Sequence, residues 1–382
     1  MMNMILNIAV VAILIISVLI LCCYGRTVLK GEISTPLFAF SAILFTSGLD
    51  VGLIMFPLTE FPVFESEKIY QFTNPLAVEF GFWGFYIWLF YFITTFYFCL
   101  LEPRLKIFQI PFVKWANNFI IITTCSFTGY LFLSYLPEFI DGIPPFYQYG
   151  LVGLTLLGAV FSSTDVRYIR YLSVGSAWLF FSLIAAMWFY SELKFSEFAS
   201  NVLHLGDYFQ NLPKFIFPFS DYHAFYLYWW FAWSIMIGQF VSRFVGGLQT
   251  WQLLIALLVI PSIPIAIWFS ILFGIYEKGI DVSGLMNSFM VLVGIVFVIN
   301  SIDSLTRLYT EGVGLTVLRF GRAGYVTLNW LILYGLILLY QFTPLRIEWI
   351  GLFVISLYCV VVYLLFSRSR FFHLKTYGSL RK

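Results

Sequence analysis

Apolar runs of membrane length recur along the whole chain, separated by short polar connections. They cover residues 4–23, 37–56, 80–101, 116–136, 146–162, 171–190, 223–245, 251–275, 286–308, 325–342 and 347–367. A helix needs about 20 apolar residues to cross a hydrocarbon core. The pattern therefore predicts an all-α membrane protein with eleven spanning helices, of which 146–162 is the shortest. Between the sixth and seventh runs the period changes. Phe195, Phe198, Val202, Leu205, Phe209 and Leu212 recur at steps of three and four among Lys194, Glu197, His204 and Asp207. Over 195–212 this predicts an amphipathic helix lying in the membrane interface or packed on the bundle.

Composition agrees with lipid as the solvent. Of 382 residues, 61% are hydrophobic and only 10% charged, more apolar surface than a soluble fold can hide. The net charge of +2 says little, but its distribution is ordered. One set of alternate connections carries Arg26 and Lys30; Arg104, Lys106 and Lys114; Arg167 and Arg170; Arg307, Arg319 and Arg322; and the tail 368–382 with its Lys and Arg residues. The other set holds Glu60, Glu65 and Glu67; Glu138 and Asp141; Glu192, Glu197, Asp207 and Asp221; and Glu277 and Asp281. By the positive-inside rule the first set is cytoplasmic, so the N-terminus is expected outside and the C-terminus inside a cell membrane. No Lys or Arg precedes Arg26, so the first run lacks the basic start of a signal peptide and reads as a span.

Other chemistries find no residues to carry them. No basic stripe is long enough to track a nucleic acid. The five cysteines form no CxxC, and the three histidines lie far apart without ligand spacing, so no metal site or other cofactor is expected. HExxH, GxSxG, P-loop and GxGxxG motifs are all missing, which argues against an enzyme. Any transport must then run on a gradient or on exchange.

Three places carry polar or aromatic residues that a simple span does not need. Tyr226, Trp229, Trp230 and Trp233 fall on one helical face. Such a stripe is either dense packing or an aromatic cage for a cation. In the second run, Gly48, Gly52 and Pro57 weaken the helix around Asp50. An intramembrane carboxylate marks an ion, proton or substrate path, or else pairs with a buried base, and no base lies at matching depth. The Gly48–Gly52 spacing alone also fits a helix-packing face. Near the end of the ninth run, Asn300, Ser301, Asp303 and Ser304 form a polar cluster. Asn300 and Ser301 suit a hard cation, whereas Asp303 is placed to pair with Arg307 one turn on.

These stretches resemble the betaine/choline/carnitine transporter (BCCT) family. Phe225-Tyr-Leu-Tyr-Trp-Trp-Phe-Ala-Trp233, followed by Gly238, Phe240 and Arg243, is similar to that family's FYWAWWISW and G-x-F-x-x-R, with Leu227 at a signature tryptophan. Gly48-Leu-Asp-Val-Gly52 with Glu60 resembles GMGIGL…EP, Asp50 standing for the middle glycine and Phe61 for the proline. Asn300-Ser-Ile-Asp-Ser304 resembles TSADS, Tyr24-Gly-Arg26 part of S-R-Y-G-x-x-R, and Asp207-Tyr-Phe-Gln-Asn211 the motif G-x-Y-L-Q-N. Trp83 and Tyr86 match the W-x-x-Y of HWxxHPWAIY, whose earlier tryptophan falls on Val78.

The resemblance implies a single transporter domain with a LeuT-type core of two inverted five-helix repeats, at 37–190 and 222–367, preceded by one extra helix over 1–23. It also implies alternating access, with a quaternary ammonium substrate such as choline, betaine or carnitine. Trp83, Tyr86, Trp229, Trp230 and Trp233 would hold the head group, with Asp50 as counter-charge or proton site. A coupling sodium would use Gly48, Asn300 and Ser301; a coupling proton would use Asp50. Family members are often homotrimers. Two other readings stay open: a same-fold carrier of another amine or amino acid, and a degenerate, non-transporting sensor or partner protein.

Overall fold

The computed structural model describes residues 2–379 apart from Ser34, Leu49, Asp50, Asp141 and Val166, with the backbone alone at 47, 48, 170 and 368–379. Its helices are α1 (Met2–Tyr24), α2 (Leu37–Gly48), α3 (Gly52–Ser66), α4 (Pro75–Trp83), α5 (Trp88–Phe96), α6 (Glu102–Leu105), α7 (Pro111–Phe139), α8 (Pro145–Ser162) and α9 (Arg167–Tyr190). They continue as α10 (Phe195–His204), α11 (Gly206–Gln210), α12 (Leu212–Ile216), α13 (Asp221–Ser242), α14 (Thr250–Val259), α15 (Ser262–Glu277), α16 (Gly284–Val313), α17 (Val317–Phe342) and α18 (Ile347–Ser379). Among the described residues, eight helical segments are long and apolar enough to cross a bilayer. The other three expected spans are helical too. One is described as two helices (α2 and α3), one is short (α8), and one is rich in Tyr and Trp (α13).

The packing shows an internal repeat. The first five spans are α2–α3, α4–α6, α7, α8 and α9; the second five are α13, α14–α15, α16, α17 and α18. In each set the first span packs on the fifth, α2 on α9 and α13 on α18. The first span of each set packs on the second of the other, α3 on α15 and α13 on α5. The two third spans, α7 and α16, pack together, and each also packs on the fourth and fifth spans of the other set. Because five crossings reverse the side of the membrane, two such sets in series must be inverted relative to one another. Both second spans break mid-way, after Trp83 and after Val259. The breaks meet: the Phe85 amide donates to Ser262 Oγ at 2.8 Å. Helix α1 lies outside the repeats, against α5, α13, α14 and α18.

Lipid removes the hydrophobic drive between helices, so close van der Waals fit has to hold them. The tight contact of α13 on α5 uses Gly238. A Cβ there would lie 2.0 Å from Thr94 Oγ1, and the Thr94 hydroxyl donates across the helices to the Ser234 carbonyl at 2.8 Å.

Contacts between connections respect the sidedness read from charge. Strands β1 (Val28–Lys30) and β2 (Gly246–Gln249) pair antiparallel, joining two connections of the basic side. Arg243 pairs with Glu311 there at 2.8 Å. On the acidic side Asn74 donates to Asp207 at 2.8 Å, and Tyr190 to the Asp281 carbonyl at 2.8 Å. Lys278 pairs with Glu197 at 2.8 Å, a bond that holds the exposed Glu197 carboxyl below the usual carboxylate range.

Three sequence expectations are corrected. The second span does not end at residue 56; α3 continues through Pro57 and Pro62 to Ser66, so Glu60 lies inside a helix, 5% exposed, and not in a connection. The third span begins before residue 80. Asn74 caps α4 by accepting from the Ala77 amide at 2.8 Å, Pro75 occupies the first turn, and Glu79 is thereby buried in the helix. The single amphipathic helix over 195–212 is three short ones, broken at Leu205 and Asn211. That segment packs on the bundle, with Asn201 donating to the Ser270 carbonyl at 3.1 Å and Tyr208 and Phe215 fully buried.

Candidate functional site

Tryptophans from two spans converge near the centre of the bundle. Trp83, at the end of α4, lies 5.4 Å from both Trp229 and Trp230 of α13, edge-on to each. Trp229 and Trp230 are nearly parallel at 5.4 Å, and Tyr226 stands 5.6 Å from Trp83. All four are buried, and Trp230 Nε1 is fixed by the Phe82 carbonyl at 2.8 Å. The indole nitrogens of Trp83 and Trp229 have no hydrogen-bond partner. The rings cover one another's faces, so a cation can sit over an indole only after a ring swings aside.

Two expected members stand apart. Trp233 is buried one turn further along α13, outside these ring contacts, with Nε1 unpartnered. Tyr86, past the α4 break, packs on Phe90 at 6.0 Å; its amide is held by Tyr208, and its own hydroxyl has no partner.

Above the tryptophans opens a cleft of about 740 Å³ on the acidic side. Its lining includes Glu60, Glu67, Glu138 and Asp221, and among the described residues no Lys or Arg. Tyr135 of α7 closes part of its floor, stacked on Phe56 at 3.8 Å, and Phe56 in turn touches Trp83 and Trp229. Glu60 accepts hydrogen bonds from the hydroxyls of Tyr222 and Tyr226, the latter at 3.1 Å. The Glu79 carboxyl lies against that of Glu60 and beside the Trp83 indole.

Sequence reasoning missed both glutamates. The apolar pattern puts Glu60 in a connection and leaves Glu79 one residue before the third run. The Asn74-Pro75 start signal could have brought Glu79 inside.

The expected ion ligands also find a common location. Asn300 of α16 donates to the Thr46 carbonyl at 2.9 Å and accepts from Ser173 of α9 at 3.3 Å, tying both helices to the end of α2 beside Gly48. Ser301 is fully buried next to it. Asp50 lies outside the described residues. Asp303 pairs with Arg307 at 2.9 Å and accepts from Ser162 at 2.6 Å, the structural role its spacing suggested.

The chain has recognisable relatives among known proteins. The profile of the betaine/carnitine/choline family transporters matches residues 146–278. The glycine betaine transporter OpuD of Bacillus subtilis is 24% identical over 310 residues, 66% of this chain and 57% of that protein. A glycine betaine transporter of Acinetobacter baylyi is 23% identical, with 64% and 44% covered. An uncharacterised transporter of Mycobacterium tuberculosis is 34% identical over only 79 residues, 18% of this chain and 13% of that protein. The chain thus spans about half or less of the length of these relatives. A solved structure of a sodium-coupled sialic acid symporter overlays with a TM-score of 0.47 at 14% identity, covering 95% of this chain and 83% of the other. Over residues 146–278, about a third of its length, the chain is thus similar to the betaine/carnitine/choline transporter family, and more distantly over a longer stretch to glycine betaine transporters.

Proposed function

We propose that the protein is a secondary transporter of a small quaternary ammonium compound, carried by alternating access, and that choline suits it better than betaine or carnitine. The observation that supports this most is the stack of an acidic cleft over buried tryptophans. Four carboxylates and no basic side chain among the described lining residues attract a cation and offer nothing to a substrate carboxylate. Beneath them Trp83, Trp229 and Trp230 supply π-faces in a dry site, where a cation–π contact is worth about 2 kcal/mol. On this reading the protein is a carrier and not an enzyme. The relatives named as glycine betaine transporters support the quaternary ammonium head group.

Coupling belongs to the same reading. Sodium would be held near Gly48, Asn300 and Ser301; a proton would use a carboxylate, Asp50 among them. The acidic cleft would face outside and the C-terminal tail the cytoplasm, following the charge of the connections. The mutual packing of the indoles favours one rival, a cluster that is purely structural.

Titration of the detergent-solubilised protein with choline, followed by tryptophan fluorescence, tests the proposal. Choline should quench saturably, and Trp230→Ala should weaken binding by about 30-fold, the equivalent of 2 kcal/mol. Equal affinity in Trp230→Ala would favour the structural rival.

A further inference from the structure

Glu60 and Glu79 come from different spans and meet in the protein interior, 5% and 0% exposed. Their surroundings are unequal. Glu60 has the hydroxyls of Tyr222 and Tyr226 as donors. Glu79 rests against Glu60 with the Trp83 indole N–H as its nearest donor, and that contact falls short of hydrogen-bond geometry, so both Glu79 oxygens are left without a bonded donor. Two ionised carboxylates offer each other only acceptors; their contact becomes a hydrogen bond when one of them carries a proton. No Lys or Arg pairs with either one among the described residues.

The other groups facing the pair do not supply a positive charge. From α7 come Tyr135 and Glu138, and from the turn before α4 come Glu67 and Tyr70. From α13 come Asp221, Tyr222, Tyr226 and His223, the last stacked 5.0 Å from Phe82 with Nδ1 unpartnered. Two bare negative charges buried side by side without a cation are too costly to persist. The open cleft reaches Glu60 directly, and Glu79 lies behind it.

We propose that Glu60 and Glu79 form a cation site at the floor of the cleft, holding one shared proton at rest and releasing it when an organic ammonium ion binds. The proton leaves through the cleft as the cation enters. The carboxyl pair with its proton carries one negative charge, and the ionised pair with a bound monocation carries one as well, so the exchange is electroneutral at the site. Proton and substrate compete for the same oxygens. Competition of this kind drives proton–cation exchange, with the two moving in opposite directions. The exchange half of this inference rests on the organic-cation reading above; the shared proton does not.

Infrared difference spectroscopy of the full chain in detergent tests both halves. At pH 7 the wild type should show the carbonyl band of a protonated buried carboxyl. Glu79→Gln should lose it, because Glu60 keeps its tyrosine donors and ionises alone. Choline should bleach the band in the wild type and release about one proton per protein into weak buffer. Its affinity should rise about tenfold per pH unit while the pair is protonated, and this slope should flatten in Glu79→Gln. A wild type without the band, or with the band intact when choline quenches fluorescence, overturns the inference. Glycine betaine binding that leaves the band in place overturns the exchange and spares the transporter reading. Failure of every quaternary ammonium to bind while the band is present sinks the exchange and the transporter reading and leaves the shared proton standing.

Discussion

Gly52→Ala adds one methyl at the point where α3 begins against the aromatic cluster. The backbone of α3 is helical there, so the need for glycine is one of space. The new Cβ would lie 2.5 and 2.8 Å from two carbons of the Trp83 ring and 3.0 Å from the Phe56 ring. Carbon atoms pack at about 3.5–4.0 Å, so Trp83 must retreat by about 1 Å. It has nowhere to go alone, with Trp229 and Trp230 at 5.4 Å and Tyr226 at 5.6 Å. Overpacking of this sort costs about 1–3 kcal/mol. Replacing glycine by alanine in a helix returns at most about 1 kcal/mol, and less at a helix start. The overpacking wins, so the thermal midpoint in detergent should fall by a few degrees. If Trp83 faces the substrate, choline affinity should fall as well, by up to about 30-fold for a lost cation–π contact. Adding Trp83→Phe should restore stability without restoring affinity. A Gly52→Ala protein as stable as the wild type, binding choline equally well, would refute this packing of Trp83 on α3.

Other consequences can be checked independently. Asp303→Asn leaves Arg307 buried without its counter-charge and should cost about 3–5 kcal/mol by thermal unfolding, whereas the double change with Arg307→Met should cost much less. Glu197→Gln should leave the thermal midpoint unchanged, since the exposed pair with Lys278 is screened by solvent. In a cysteine-free background, Leu285→Cys should react with an impermeant maleimide on intact cells and Leu318→Cys should not. Both positions are highly exposed and on opposite sides by the charge reading, and reversed labelling would invert the topology.

The spans were legible because each must satisfy the same solvent, and lipid leaves a long apolar run wherever a helix crosses. The convergence of Trp83 with Trp229 and Trp230 followed from motif resemblance and not from periodicity, which places side chains on a helix face but does not pair faces across 146 residues of chain. For the same reason Tyr86 was grouped with the cluster, although the α4 break at Gly84 turns it towards Phe90 and Tyr208. Glu60 and Glu79 were hidden by the rule that a carboxylate ends a membrane run. Glu60 is held in a helix interior by the hydroxyls of Tyr222 and Tyr226, which come from 162 and 166 residues away, and no local pattern reveals such long-range contacts. The amphipathic period over 195–212 was real, but Pro213 and the turns at Leu205 and Asn211 divide the segment, and burial of Tyr208 and Phe215 decides its path.

Uptake of radiolabelled choline into proteoliposomes, with proton and sodium gradients imposed separately, tests the central claim most directly. The account predicts saturable choline uptake that Trp230→Ala lowers by about 30-fold at subsaturating choline, that exceeds uptake of betaine and carnitine, and that concentrates choline when the lumen is more acidic than the outside. Absence of uptake of all three compounds by correctly folded wild-type protein, under either gradient, would contradict it.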